Sequence, residues 1–216
     1  MLRWLNRGDS DAAFDKHTPL ASVRYVILDT ELTSLDSRTN RLLSVGAIAM
    51  NGPKILLGEQ LYRVVNPGVK VPAEGVLIHR LRASDVENGK SPAEALNELQ
   101  AFIAGAVLVG HFAEIDIKVL RKELSGSEHS LNNPAICTAR LQRWIVQNQR
   151  YSEDQFHKLE NVDLASLAKV YGLEVREAHH ALDDAFVTAR LWQKMMPILD
   201  TMGIKTLGQL LKIGRI

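Results

Sequence analysis

Asp29 and Glu31, Asp116, and then His179 and Asp184 are the residues of this 216-residue chain whose types and settings could do chemistry. Asp29-Thr30-Glu31 closes an apolar, β-branched run, Val23-Arg24-Tyr25-Val26-Ile27-Leu28, which reads as a buried strand. Side chains at i and i+2 of a strand share a face. The two carboxylates therefore stand side by side and repel each other unless a cation lies between them. Hard divalent ions such as Mg²⁺ take oxygen ligands of this kind. The competing reading is a pair of turn residues leaving a strand.

Asp116 is the sharper signal. From Phe112 to Leu120 and beyond, Glu114, Lys118, Arg121 and Lys122 fall on one helical face, and Asp116 falls nearly opposite, among Phe112, Ala113, Val119 and Leu120. A carboxylate centred on an apolar stripe needs an ion partner, a hydrogen-bonded setting or a metal. In Ala178-His179-His180-Ala181-Leu182-Asp183-Asp184-Ala185, a spacing of five keeps His179 and Asp184 off one helical face. The pattern instead puts His179 in an entry loop, Asp183 at the cap and Asp184 in the first turn, where the helix dipole favours an ionised carboxylate. Plain capping and a solvated histidine pair are the alternatives there. No cluster decides by itself. Together they are what a two-metal site for phosphodiester hydrolysis requires, and all three sit where an open α/β sheet places its ligands.

The elements that must position these groups follow from pattern. After the first strand, Leu42 to Met50 reads as a second, Asn51-Gly52-Pro53 as a turn, and Ile55 to Val65 as a third strand antiparallel to it. Pro67, Gly68 and Pro72 mark a loop. Ser91-Pro92-Ala93-Glu94 starts a helix, with Ser as cap, Pro at the first helical position and Glu three residues after the cap. Ala106 to Val109 is a short strand, Gly110-His111 leads into a helix, and Ala135-Ile136-Cys137 is a fifth strand. Helices are predicted over 138–149, over 164–171 with Gly172 as its stop, and over 182–196, ending at Pro197. The order implies an α/β sheet with an antiparallel pair at one edge and crossovers elsewhere. Residues 1–22 read as an extension, 23–196 as the domain and 197–216 as a weakly amphipathic tail that could cover the domain, self-associate or dock a partner. Asn148 to Glu160 reads as a mobile loop.

Composition sets the outer bounds. With 46% apolar and 24% charged residues the chain is an ordinary globular one. A formal charge of +1 gives no global basic field and argues against a protein that coats nucleic acid non-specifically. Cys137 is the only cysteine, which excludes an internal disulfide framework and a cysteine zinc cluster and fits a reducing cytosol. No apolar signal-like run opens the chain and no run approaches a membrane span, so a cytoplasmic protein with no membrane partner is expected.

These residues resemble the DEDD superfamily of 3′–5′ exonucleases, in the branch with a histidine in its last motif, and are similar to epsilon-type proofreading subunits and their free-standing relatives. The first motif is Leu28-Asp29-Thr30-Glu31-Leu32-Thr33-Ser34-Leu35, the second Val109-Gly110-His111-Phe112-Ala113-Glu114-Ile115-Asp116, and the third His179-His180-Ala181-Leu182-Asp183-Asp184-Ala185. Asn66-Pro67-Gly68 and Ile78-His79-Arg80-Leu81 also match, and the likeness runs from about Arg24 to Met195. The chain departs from the family's common residues at Leu32, Ser34, Arg80, Phe112 and His180, none of them among the five core groups.

The resemblance implies a ribonuclease-H-like fold, a five-stranded mixed sheet of order 3-2-1-4-5 flanked by helices. It implies two divalent cations, Mg²⁺ or Mn²⁺. Asp29 would be shared by both, Glu31 and Asp184 would complete one shell, and Asp116 would act mainly through water. His179 would take the proton of the attacking water. Thr30, Leu32 and Phe112 are the nucleotide-binding candidates, the last two for stacking on the terminal base or else as core. Arg80, Arg82, Arg140 and Arg143 could touch phosphates or form a solvated face. The implied substrate is a nucleic-acid 3′ end, DNA before RNA, released as nucleoside monophosphates, and the implied protein partner is a DNA polymerase. Trimming of RNA 3′ ends by the same mechanism, and a non-catalytic polymerase-interaction module, are the competing functions. The oligomeric state is not legible.

Overall fold

The computed structural model describes residues 14–34, 36–69, 81–125, 130–149, 162–175 and 180–216. Strands β1 (Arg24–Leu32), β2 (Leu42–Asn51), β3 (Lys54–Val64), β4 (Val107–Gly110) and β5 (Ala135–Cys137) form one sheet of order β3-β2-β1-β4-β5. β1 pairs antiparallel with β2 and parallel with β4, and β4 pairs parallel with β5. This is the mixed, ribonuclease-H-like order that the family resemblance implies.

Helices among the described residues are α1 (Ala83–Glu87), α2 (Pro92–Ile103), α3 (Glu114–Glu123), α4 (Thr138–Asn148), α5 (Leu164–Val170), α6 (Ala181–Thr201) and α7 (Leu207–Gly214). The box at Ser91 forms as read: Glu94 N donates to Ser91 Oγ, and Ser91 N to the Glu94 carboxylate at 3.1 Å. α1, one short turn with little periodicity, was not foreseen.

The two faces of β1 serve two cores. Tyr25 and Ile27 pack with Trp192, Leu199 and other residues of α4 to α7, whereas Val26 and Leu28 pack with Leu96, Leu99, Ile117 and Leu120 of α2 and α3. The period of two that sorts these side chains therefore sends Asp29 and Glu31 to the α6 side and Thr30 and Leu32 to the α3 side. Trp192 is fully buried, edge-on to Tyr25 at a centroid distance of 5.3 Å, and fixes α6 along β1.

α6 does not stop at Pro197 but continues to Thr201. A proline removes one helical hydrogen bond. Burial of Met195, Met196 and Leu199 holds the last turns against that loss. The tail is part of the same body. Leu207, Leu210 and Leu211 are buried, Ile216 N donates to Ala135 O at 3.1 Å, and Leu207 N and Gly208 N donate to Thr18 O and Lys16 O. Residues 16–20 are thereby tied to the C-terminal segment, and that segment to the sheet. The stretch expected to be a mobile loop falls almost wholly outside the described residues. Among the described residues no helix is long and apolar enough to cross a membrane.

Candidate metal centre

β1 delivers the first two carboxylates at its carboxyl end, and α6 delivers the third. Carboxylate oxygens of Asp29, Glu31 and Asp184 lie within 4.8 Å of one another. Glu31 is buried and the other two are half-buried. Asp184 sits in the first turn of α6, as its position in the sequence implied, where the helix N-terminus favours its charge. An all-oxygen set of three acids from two elements suits a hard divalent cation.

Asp116 meets β1 from the opposite side. Its Oδ1 accepts from Thr30 N at 2.9 Å and from Thr30 Oγ1 at 2.5 Å. The inward placement read from helical spacing is observed, with Asp116 at 5% exposure on α3. Thr30, a nucleotide-binding candidate from sequence, uses its hydroxyl to orient this carboxylate. α3 is in turn clamped to the β1–β2 connection: Arg41 forks onto Glu123 at 2.8 and 3.2 Å, and Lys122 Nζ donates to Asn40 O at 2.8 Å.

Convergence of acids has an electrostatic cost. Burial, with Asp116, Glu31 and Asp184 nearby, pushes the Asp29 carboxyl well above the usual carboxylate range. Burial pushes Asp116 from 3.8 up to about 7, against the two Thr30 hydrogen bonds that favour its charged form. Native pKa values raised over unfolded ones mean that the folded, metal-free chain holds more protons than the unfolded chain over this interval. For Asp116 the stabilising contribution is complete below about pH 4 and is lost as pH rises through about 7, and Asp29 acts in the same direction. Without metal, Asp29→Asn should therefore raise Tm, and by more at pH 8 than at pH 5. Melting curves in chelator at the two pH values check this, and an equal shift at both would contradict it.

Two glycines make the convergence possible; from sequence Gly110 reads only as the lead into a helix and part of the second motif, and Gly46 is not singled out. Gly46 lies opposite Asp29 in the β1–β2 register. A Cβ there would sit 2.3 Å from Ala181 C and Leu182 N, so the first turn of α6 rests directly on β2 backbone. A Cβ on Gly110 would lie 2.8 Å from Ala113 Cβ at the approach to α3. A glycine inside a strand pattern is the available sequence signal for such close approach. Gly46→Ala must push α6 outward. The expected cost is about 1–3 kcal/mol of stability, typical of overpacking, together with weaker Mn²⁺ binding as Asp184 moves away. Denaturant melts and a metal titration measure both.

Several expectations change. The residue at the N-cap of α6 is His180, not Asp183; Asp183 lies in the first turn with Oδ2 3.2 Å from His180 Nδ1. Leu32 is buried at 5% exposure in the α2–α3 core, because even-numbered β1 residues face that side. Phe112 is not on the inward stripe. α3 begins only at Glu114, and Phe112 precedes it at φ 54 with its ring 38% exposed. His111 beneath it is fixed by Thr138 Oγ1 at 2.8 Å and Val162 O at 2.7 Å and meets the Phe112 ring edge-on. Arg140 is engaged by Glu114 at 2.6 Å. Arg82 and Arg143 are exposed. His179 and Arg80 lie outside the described residues.

Comparisons with known proteins fit this architecture. A family model described as "Exonuclease" matches residues 26–192. The chain is 28% identical over 210 residues to a DNA polymerase III subunit epsilon-like protein of Rhodobacter capsulatus, covering 96% of this chain and 28% of that one. It is 32% identical over 180 residues to DNA polymerase III subunit epsilon of Rickettsia typhi, covering 80% of this chain and 74% of that one. Among solved structures, exonuclease X in complex with 5′ overhanging duplex DNA superposes with a TM-score of 0.62 at 22% identity, covering 88% of this chain and 98% of that one. Several relatives are much longer: the chain spans 28% of the Rhodobacter protein and 12% of the PolC-type DNA polymerase III of Clostridium perfringens.

Proposed function

The chain belongs to the exonuclease family, and on that premise we propose that it is a metal-dependent 3′–5′ exonuclease that releases nucleoside monophosphates from DNA ends. The observation that carries the reading is the convergence of Asp29, Glu31 and Asp184 oxygens within 4.8 Å of one another. These three would hold one Mg²⁺ or Mn²⁺, and Asp29 with Asp116 a second. When bound, such ions lower the pKa of a water and stabilise the oxygen that leaves. The chain's own groups do the rest. Thr30 holds Asp116 in one rotamer, β1 holds Asp29 and Glu31 on one face, and Gly46 admits Asp184. His179, next in sequence to the N-cap residue His180, takes the proton of the attacking water.

Phe112 is the residue best placed to take a base. Its ring is exposed at the approach to α3, and its backbone is in a region where a non-glycine residue costs on the order of 1 kcal/mol or more. Base stacking on an aromatic ring contributes roughly 1–3 kcal/mol. Phe112→Gly should therefore raise KM about tenfold while raising Tm, since the strain is relieved. A variant with unchanged KM would remove Phe112 from the site.

DNA is favoured over RNA because relatives are DNA polymerase III epsilon subunits and exonuclease X is seen bound to DNA. The same names make a polymerase the expected protein partner. The direct test uses matched single-stranded DNA and RNA oligonucleotides labelled at the 5′ end, with Mg²⁺. A ladder of labelled products shortening one nucleotide at a time supports the reading. Immediate release of labelled mononucleotide would reverse the polarity, and faster RNA turnover would move the substrate to RNA.

A further inference from the structure

The first turn of α6 carries Asp184 yet has no side-chain cap: His180 occupies the N-cap position and accepts no backbone hydrogen bond there. Something else must fix how that turn sits over the sheet. Asp29, Gly46 and Tyr62 form one row across β1, β2 and β3, through the pairs Asp29↔Gly46 and Gly46↔Tyr62. Directly opposed residues share a face, so the row presents a carboxylate, a gap and an aromatic ring to α6. The turn rests in the gap, 2.3 Å from where a Gly46 Cβ would be. On the far side, the His180 ring stacks on Tyr62 with centroids 4.5 Å apart and planes 33° apart. Asp183 Oδ2 lies 3.2 Å from His180 Nδ1 on the remaining side.

We propose that Tyr62 is a positioning residue of the metal centre: its ring holds His180, and through it the first turn of α6, at the height that brings Asp184 to Asp29 and Glu31. The proposal rests on the reading of those carboxylates as metal ligands. Gly46 sets how near the turn can come, and Tyr62 sets where along the row it stops. A flat ring is what the contact needs. The contact is between the two rings, so phenylalanine should serve as well and an aliphatic side chain of similar bulk should not.

Calorimetric titration of Mn²⁺ into the full chain tests this, on variants first melted without metal to establish that they fold. Tyr62→Leu and His180→Ala should each weaken Mn²⁺ binding roughly tenfold or more, the range for a lost partner that orients a ligand. Tyr62→Phe should restore the unsubstituted affinity, which a general loss of stability would not predict. The double variant Tyr62→Leu/His180→Ala should bind no worse than the weaker single one, because both act through one contact. Unsubstituted affinity in folded Tyr62→Leu and His180→Ala overturns the proposal, as does a double variant whose losses multiply. If the unsubstituted chain itself fails to bind Mn²⁺, the metal-centre reading falls and this proposal with it.

Discussion

Asp29→Ala is expected to abolish hydrolysis of a single-stranded oligonucleotide in Mg²⁺. Asp29 is the residue on which the rest of the cluster converges. It shares its strand face with Glu31 and lies across from the gap at Gly46 that seats α6, and its carboxyl is pushed up by burial and by the charges of Asp116, Glu31 and Asp184. Metal-borne stabilisation of developing charge contributes several kcal/mol. At about 1.4 kcal/mol per factor of ten, its loss corresponds to a rate loss on the order of 10³–10⁵-fold. The same substitution should leave the metal-free chain folded and melting no lower than the unsubstituted one, because it removes a carboxyl whose ionisation burial and neighbouring like charges disfavour. Loss of activity with retained or raised Tm in chelator is thus the joint signature, read by initial rates and thermal melts. Activity surviving in Asp29→Ala would show that hydrolysis arises elsewhere, and activity lost only through unfolding would leave Asp29 a structural residue.

His179→Ala is expected to slow turnover by roughly 10²–10⁴-fold, the contribution of a well-placed general base, while Mn²⁺ binding persists. As a base it must be neutral, so the rate of the unsubstituted chain should rise with pH as the imidazole loses its proton and level off beyond that. In His179→Ala that rise should be absent and the remaining rate should follow pH weakly. Single-turnover rates between pH 5.5 and 8.5 on the two chains separate the cases. A variant that keeps both the rate and the pH profile would free His179 from the role.

What could be read from sequence was what local period controls. The alternation along Tyr25, Ile27, Asp29 and Glu31 placed both acids on one face, and helical spacing placed Asp116 inward; both placements are observed. The start of a helix before Asp184 was equally local. Residues whose role depends on a distant backbone were not legible. Nothing within β2 says that Gly46 must admit Ala181 and Leu182. Nothing near Phe112 says that it adopts φ 54 and leaves its ring exposed rather than extending the helix by a turn. Pro197 misled because a rule about one hydrogen bond met a helix whose last turns are held by buried Met195, Met196 and Leu199. Leu32, read as either a stacking residue or core, packs in the core, since it sits next to Glu31 in sequence but on the other side of the sheet. The pairing of residues 16–20 with 205–208 bridges a separation no periodicity spans.

The most direct measurement is anomalous diffraction from crystals of this chain soaked with Mn²⁺ and a nucleoside monophosphate. Density for manganese is expected in contact with carboxylate oxygens of Asp29, Glu31 and Asp184, with the nucleotide phosphate beside it. Manganese bound elsewhere on the molecule, with those three side chains uncoordinated at the same concentration, would contradict the assignment of this cluster as the catalytic metal centre.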